Sequence, residues 1–210
     1  ANNSRIENGF YVFDIQTPKE VIANVRFGLP GHHNLMNALT AFAMAYTYGV
    51  APEKIVTALA SFPGIRRRFS FQIREKKLVY IDDYAHHPTE INAVHQAVRE
   101  LYPNNKIIAA FQPHLFSRTK DFVDGFASSL SQFDEILLLE IYPARELPIA
   151  GVSSEWLFHK IENKHKKLVQ KNNLIKDIKK STAKVVVMLG AGDIGEMVNE
   201  VKINFYNSRK

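Results

Sequence analysis

Four short apolar runs, at 78–81, 107–111, 136–141 (interrupted only by Glu140) and 185–189, constrain this chain more than any other feature. A strand with one wet face alternates apolar and polar residues, whereas a run apolar at every position needs cover on both faces. Amphipathic stretches at 89–101, 120–130, 154–163 and 193–201 follow the runs, and a weaker strand and helix are expected within 167–181. Strand-then-helix alternation predicts a Rossmann-like, mostly parallel α/β sheet with helices on both faces.

The part before residue 64 reads differently. Tracts at 10–15 and 21–27, bounded by Thr17-Pro18 and by Gly28-Leu29-Pro30-Gly31, have strand character. A helix follows, with Leu35, Leu39, Phe42, Ala43 and Tyr46 at helical spacing and Gly49 as its stop. A shorter helix opens at Pro52, where proline suits the first turn. The break Phe62-Pro63-Gly64 then meets the basic run Arg66-Arg67-Arg68. We therefore expect a partial α+β piece over 1–63 and a second unit over 64–210.

Composition narrows the chemistry. With 46% hydrophobic and 23% charged residues the 210-residue chain is neither disordered nor fibrous. The absence of cysteine excludes disulfides, thiolate metal sites and thiol nucleophiles. No 18-residue apolar span or signal peptide is present, so membrane insertion is not expected and a cytoplasmic location is. Without an initiator Met, the chain is expected to be a piece of a longer protein. Nine of the lysines behind the net charge of +6 lie between 160 and 184, without interleaved aromatics. They read as a solvated helical face, not a nucleic-acid surface.

In an open α/β sheet ligands bind beyond the carboxyl ends of the strands, so the residues after each run matter most. The first run leads into Asp82-Asp83-Tyr84-Ala85-His86-His87-Pro88-Thr89-Glu90, with Thr89 or His87 available to start a helix. That is more ionisable side chain than capping requires, and adjacent histidines without His-x-x-x-His spacing argue against zinc. The second leads into Gln112-Pro113-His114-Leu115-Phe116-Ser117-Arg118-Thr119, where His114 and Arg118 suit a carboxylate or phosphate. After the third, Arg145 and Glu146 either pair at the surface or serve the site. The fourth opens into Gly190-Ala191-Gly192-Asp193-Ile194-Gly195, which has the form G-x-G-x-x-G. Only 15 residues follow, too few for the further strand and acidic residue of a dinucleotide site, so the glycines predict a tight turn with close backbone approach, with an anionic ligand as one object of that approach. Asn34 and Asn37, three apart at a helix start, share a face. One amide is free to cap and the other is spare for an adenine-like edge.

Five stretches in this order resemble the Mur ligase family over nearly the whole chain. They are Gly31-His32-His33-Asn34-Leu35-Met36-Asn37-Ala38-Leu39, Phe62-Pro63-Gly64-Ile65-Arg66-Arg67-Arg68-Phe69, and the segments 82–90, 111–119 and 141–151. The resemblance implies the end of a central ATPase domain followed by a complete C-terminal Rossmann-like domain. It implies ATP-dependent joining of L-alanine to UDP-N-acetylmuramate through an acyl phosphate, with Mg2+ and cationic side chains offsetting the developing charge. By motif position it implies an adenine contact at Asn37 with Asn34 beside it, a terminal-phosphate contact at Arg68 and a ribose contact at Asp83. Tyr84, His86, His114 and Arg118 would surround the alanine and the reacting carboxylate, in positioning roles before acid or base roles.

No metal ligand, no nucleic-acid partner and no oligomeric state are assigned. Two positions depart from the family pattern: Leu115 stands where many relatives carry Arg, and Arg145 where Gly is frequent. The chain also lacks a G-x-x-x-x-G-K-[ST] phosphate loop, so this piece alone is expected to be inactive and to hold no bound cofactor. The rival readings are a recycling ligase that attaches a whole tripeptide to the same sugar, and a stand-alone anion- or nucleic-acid-binding module.

Overall fold

The computed structural model describes residues 1–7 and 9–207, which form two compact units. The first contains Ala1–Ile65 and groups with it Gln96–Leu101; the second contains Arg66–His95 and Tyr102–Lys210.

In the first unit, β1 (Asn2–Glu7), β2 (Phe10–Gln16) and β3 (Val21–Phe27) form an antiparallel sheet in that order. The helices α1 (His32–Thr47) and α2 (Pro52–Ser61) supply the other layer. Phe13, Ile15, Val25 and Phe27 of the sheet bury against Leu35, Ala38, Phe42, Ile55 and Leu59 of the helices. Strand β1 has no counterpart in the sequence reading. Its six residues are all exposed, so no apolar alternation betrays it.

The second unit is a six-stranded sheet in the order β4-β5-β9-β6-β7-β8. Its strands are β4 (Ser70–Arg74), β5 (Val79–Asp83), β6 (Ile107–Phe111), β7 (Glu135–Leu138), β8 (Lys166–Leu168) and β9 (Val185–Leu189). All neighbours run parallel except β4, which pairs antiparallel with β5. Every residue of β5, β6 and β9 is buried, as unbroken apolar runs require. One face packs Tyr80, Ile108, Ala110, Leu137, Val186 and Met188 against Leu174 and Ile178 of α7 (Lys171–Lys180) and Val198 and Val201 of α8 (Val198–Asn207). Alternate residues such as Ile81, Ala109, Phe111, Ile136 and Val187 are equally buried. Phe111 meets Phe126 on that other face, with ring centroids 5.5 Å apart.

Several boundaries differ from the expectations. The edge strand β4 was missed, although a hairpin joins it to β5: Glu75 and Leu78 exchange backbone hydrogen bonds of 3.0 and 3.3 Å around Lys76-Lys77. The helix expected over 120–130 is two, α4 (Phe116–Asp121) and α5 (Val123–Ser131), because Phe122 leaves helical geometry at φ −119°, ψ 21°. The last stretch begins as a 3-10 turn at Asp193–Met197 before α8. Helix α3 (Pro88–Leu101) starts where expected, with the ring Nδ1 of His87 accepting the Thr89 N–H at 3.3 Å. Helix α6 (Ser154–Lys160) begins as expected under a cap from Ser153 but ends earlier.

Candidate active site

The parallel register sets Asp83, Leu189, Phe111 and Leu138 abreast at the carboxyl ends of β5, β9, β6 and β7. The polar segments that follow these strands therefore leave the sheet at one level. Strain collects beside them. Of six described non-glycine residues with positive φ, Leu115 (74°) and Ala144 (52°) lie on these loops, and Arg67 (60°) and Phe69 (46°) on the segment that leads into β4. Such backbone persists only where surrounding contacts over-determine it.

The contacts at Arg67 and Asp83 do so. Asp83 is buried, and its two oxygens accept the backbone N–H groups of Phe69 at 2.6 Å and Ala85 at 2.7 Å. Burial nevertheless pushes its carboxyl up to about 6, the two N–H groups and Arg68 only partly offsetting the loss of water. Burial likewise raises the Asp82 carboxyl, opposed by Arg67. The Arg67 guanidinium bonds Asp82 at 3.3 Å, donates to the Gly190 carbonyl at 2.5 Å and lies 5.2 Å from the centre of the Tyr84 ring. Tyr84 N–H donates to the Arg67 carbonyl at 2.7 Å. The basic run is thus partly a brace. Arg67 locks the strand ends together, while Arg68, half exposed, reaches Glu90 at 3.5 Å and the Tyr84 face at 5.7 Å.

Tyr84, His86, His114 and Arg118 come together. The His86 ring lies 5.2 Å from Tyr84 and 6.0 Å from His114. His86 Nδ1 is 2.8 Å from the Tyr84 carbonyl, which only accepts, so that nitrogen carries the proton and Nε2 keeps the lone pair in the neutral ring. Glu90 accepts the His86 backbone N–H at 2.9 Å. Burial would raise the Glu90 carboxyl, but that bond and the charges of His86 and Arg68 hold it below its ordinary value.

His114 has the opposite tautomer. Arg118 donates to its Nδ1 at 3.3 Å, and a guanidinium has no lone pair to offer in return, so the proton sits on Nε2. Burial first, then the Arg118 charge, lowers the His114 pKa, which favours neutral imidazole. The cluster presents one cation and two imidazoles of opposite polarity, a set fitted to orienting an anion.

Further residues had been missed or left open. Gln112 spans the gap between β6 and the glycine turn, its amide N–H donating to Asp193 at 2.8 Å while its carbonyl accepts the Ile194 N–H at 2.9 Å. Lys171 closes on the other Asp193 oxygen. A Cβ on Gly192 would lie 2.5 Å from Gln112 Oε1 and 2.7 Å from Tyr142. The glycines thus admit this protein's own side chains. Glu146 does not pair with Arg145. It accepts the backbone N–H of Ser117 at 2.9 Å and the hydroxyl at 2.5 Å, which holds its carboxyl low. Only Gln112 and Glu146 left a trace in the sequence, as polar residues just beyond apolar runs.

Asn34 and Asn37 belong to the first unit. Asn34 donates its amide to the Pro30 carbonyl at 2.7 Å, closing the first turn, and no side chain caps α1. Both amides line a cavity of about 330 Å³ whose walls are Phe27, Leu29, Ala38, Ala41, Leu59, Phe62 and Ile65.

A doubly wound sheet with a polar rim at its strand ends is the frame of many ligand-binding enzymes. The model of the Mur ligase glutamate ligase domain matches residues 67–195, and the chain belongs to the Mur ligase family. It is 70% identical over 202 residues to a UDP-N-acetylmuramate–L-alanine ligase of Flavobacterium psychrophilum, covering 96% of this chain and 45% of that protein. A ligase of the same name from Christiangramia forsetii is 63% identical with the same coverage. The chain thus spans about half the length of the curated relatives it matches. Among solved structures, the UDP-N-acetylmuramate-alanine ligase MurC of Thermotoga maritima superposes with a TM-score of 0.80 at 27% identity, over 96% of this chain and 44% of that one. The folylpolyglutamate synthase of Mycobacterium tuberculosis shares the fold at 14% identity, with a TM-score of 0.71 over 94% of this chain and 46% of that one.

Proposed function

We propose that this chain is the C-terminal part of an ATP-dependent UDP-N-acetylmuramate:L-alanine ligase, working in the cytoplasm on small-molecule substrates. In this reading residues 1–63 complete a central ATP-binding domain, and 64–210 form the domain that receives the amino acid. The observation that carries the reading is the meeting of Tyr84, His86, His114 and Arg118 within one set of strand-end loops, with Arg68 against the same tyrosine.

Arg118 and the Nε2–H of His114 would orient carboxylates, and the neutral state of His114 leaves its proton available as a hydrogen bond, not as a charge. Orientation of this kind lowers the barrier by fixing the amine and the activated carboxyl in reacting geometry. Arg68 would meet the terminal phosphate, where a planar fork matches the oxygens. Asp83 would use its remaining lone pairs for a ribose hydroxyl.

The cavity beside Asn34 and Asn37 fits an adenine ring: apolar walls for its faces, and amides that both donate and accept for its edge. Among the described residues no three His, Asp or Glu side chains stand close enough to hold a metal ion. In this reading Mg2+ is held by the phosphates and by parts of the enzyme beyond this chain, and offsets phosphate charge there.

The test uses the full-length protein. Phosphate release that requires both L-alanine and UDP-N-acetylmuramate is the expected result. Release with a tripeptide but not with alanine would favour the recycling reaction. The 210-residue chain alone is expected to release none, and to show no steeply salt-dependent binding to oligonucleotides.

A further inference from the structure

The turn that follows β7 is fastened to the His114 segment at both ends, and between the two fastenings it carries an arginine with no partner. Tyr142 forms one end. Its N–H donates to the Pro113 carbonyl at 2.8 Å, its carbonyl accepts the Leu115 N–H at 3.0 Å, and its ring stacks on His114 at 5.7 Å. Glu146 forms the other end, through its two bonds to Ser117. A backbone bond from Glu146 N–H to the Pro143 carbonyl, 3.0 Å, closes the turn over Ala144 and Arg145, and Ala144 takes a φ of 52° to allow it. Arg145 is exposed and makes no hydrogen bond, ion pair or ring contact to any described residue.

A cation held this way is unusual in its surroundings. The neighbouring acid, Glu146, turns its two oxygens to the Ser117 N–H and hydroxyl and makes no ion pair with the guanidinium. Arg118 and the imidazole of His114 stand at the segment to which the turn is pinned. Leu115 and Arg145 are thereby joined through one hydrogen-bonded turn.

We propose that Arg145 is a specificity-determining residue, supplying a second guanidinium for the α-carboxylate of the incoming amino acid; this rests on the ligase reading above. Two forks on one carboxylate are tolerable because the anion offsets their mutual repulsion, and without it Arg145 stays in solvent, where repulsion is screened. A carboxylate suits the arrangement better than a spherical anion, since a guanidinium presents its donors in a plane. The turn supplies the precision: a partnerless arginine on a free loop would spread over many rotamers, whereas this one starts from a backbone fixed on both sides.

The experiment is steady-state kinetics on the full-length ligase with Arg145→Gly and Arg145→Lys. Removing a charge-assisted contact at an exposed site is expected to raise KM for L-alanine roughly five- to twentyfold. KM for ATP and for the nucleotide sugar, and kcat, should stay within about twofold, and Arg145→Lys, which keeps the charge without the planar fork, should recover only part of the loss. Alaninamide, which lacks the carboxylate, separates charge recognition from a packing effect. Its KM should be equal in wild type and Arg145→Gly. An unchanged KM for alanine, an equal rise for alaninamide, or a rise confined to the nucleotide sugar overturns the assignment. A wild-type protein that uses no alanine at all would instead defeat the ligase reading, so the two failures are told apart.

Discussion

The two ends of the six-stranded sheet are both charged, yet they are built in different ways. At the carboxyl end, Asp82, Asp83, Arg67 and Gln112 are buried or nearly so, and each has a fixed partner from another loop. At the amino end lies a cavity of about 410 Å³ lined by Lys106, Lys166, Lys167, Lys180, Glu135 and Asp177 among others. There Lys167 and Lys180 share Asp177 at 2.6 and 3.1 Å, with more than half of each lysine side chain exposed. Burial at the carboxyl end strips water from Asp82 and Asp83 and raises both carboxyls, whereas charge on solvated lysine arms is screened. Charge count alone therefore says little about where a site is.

The contrast breaks first at Asp83. Asp83→Ala leaves two buried N–H groups without an acceptor and is expected to cost roughly 2–4 kcal/mol in urea unfolding. A loss under ~1 kcal/mol would mean that the carboxyl-end network is as slack as the other. The same residue sets a pH signature. The folded chain holds the Asp83 proton more tightly than the unfolded chain, whose aspartates titrate near 3.8. Its contribution to stability is therefore full below that value and is lost as pH rises through about 6. Carboxyl NMR should find one aspartate titrating there. If all titrate near 4, burial is not controlling this group.

Next in size is Gly192→Ala, whose methyl group would press on Gln112 and Tyr142. A loss of about 1–3 kcal/mol is expected by differential scanning calorimetry, as for other overpacked positions. Arg118→Met should act without much loss of stability, raising the His114 pKa toward its ordinary value because one of its lowering influences is gone. Imidazole NMR reads this directly, and an unmoved titration would mean that the Arg118 charge does not influence His114. Smallest is Lys167→Ala at the amino end. A change within ~0.5 kcal/mol, shrinking further in salt, is expected for a pair whose lysine is half in solvent.

Much of the second unit was legible because its central strands are covered on both faces, which demands continuous apolar runs. The sequence missed β1 and β4 for a related reason. β1 is exposed throughout and β4 buries only Ile73, so backbone pairing holds them and neither needs an apolar signature of its own. The candidate site was legible as a set of polar residues after each run, Tyr84, His86, His114 and Arg118 included. Their division of labour was not. Arg67 and Arg68 are chemically identical neighbours, yet the backbone turn at φ 60° accompanies a partly buried brace at the first and leaves the second half exposed.

By itself, then, the sequence determined the layered α/β class, the family resemblance and the strand ends at which polar groups collect, since these follow from local pattern and order along the chain. Tertiary structure decided which groups are neutral, which carboxylates are occupied, and which arginine stands without a partner. Those properties depend on burial and on hydrogen bonds between loops dozens of residues apart, and no local pattern encodes them.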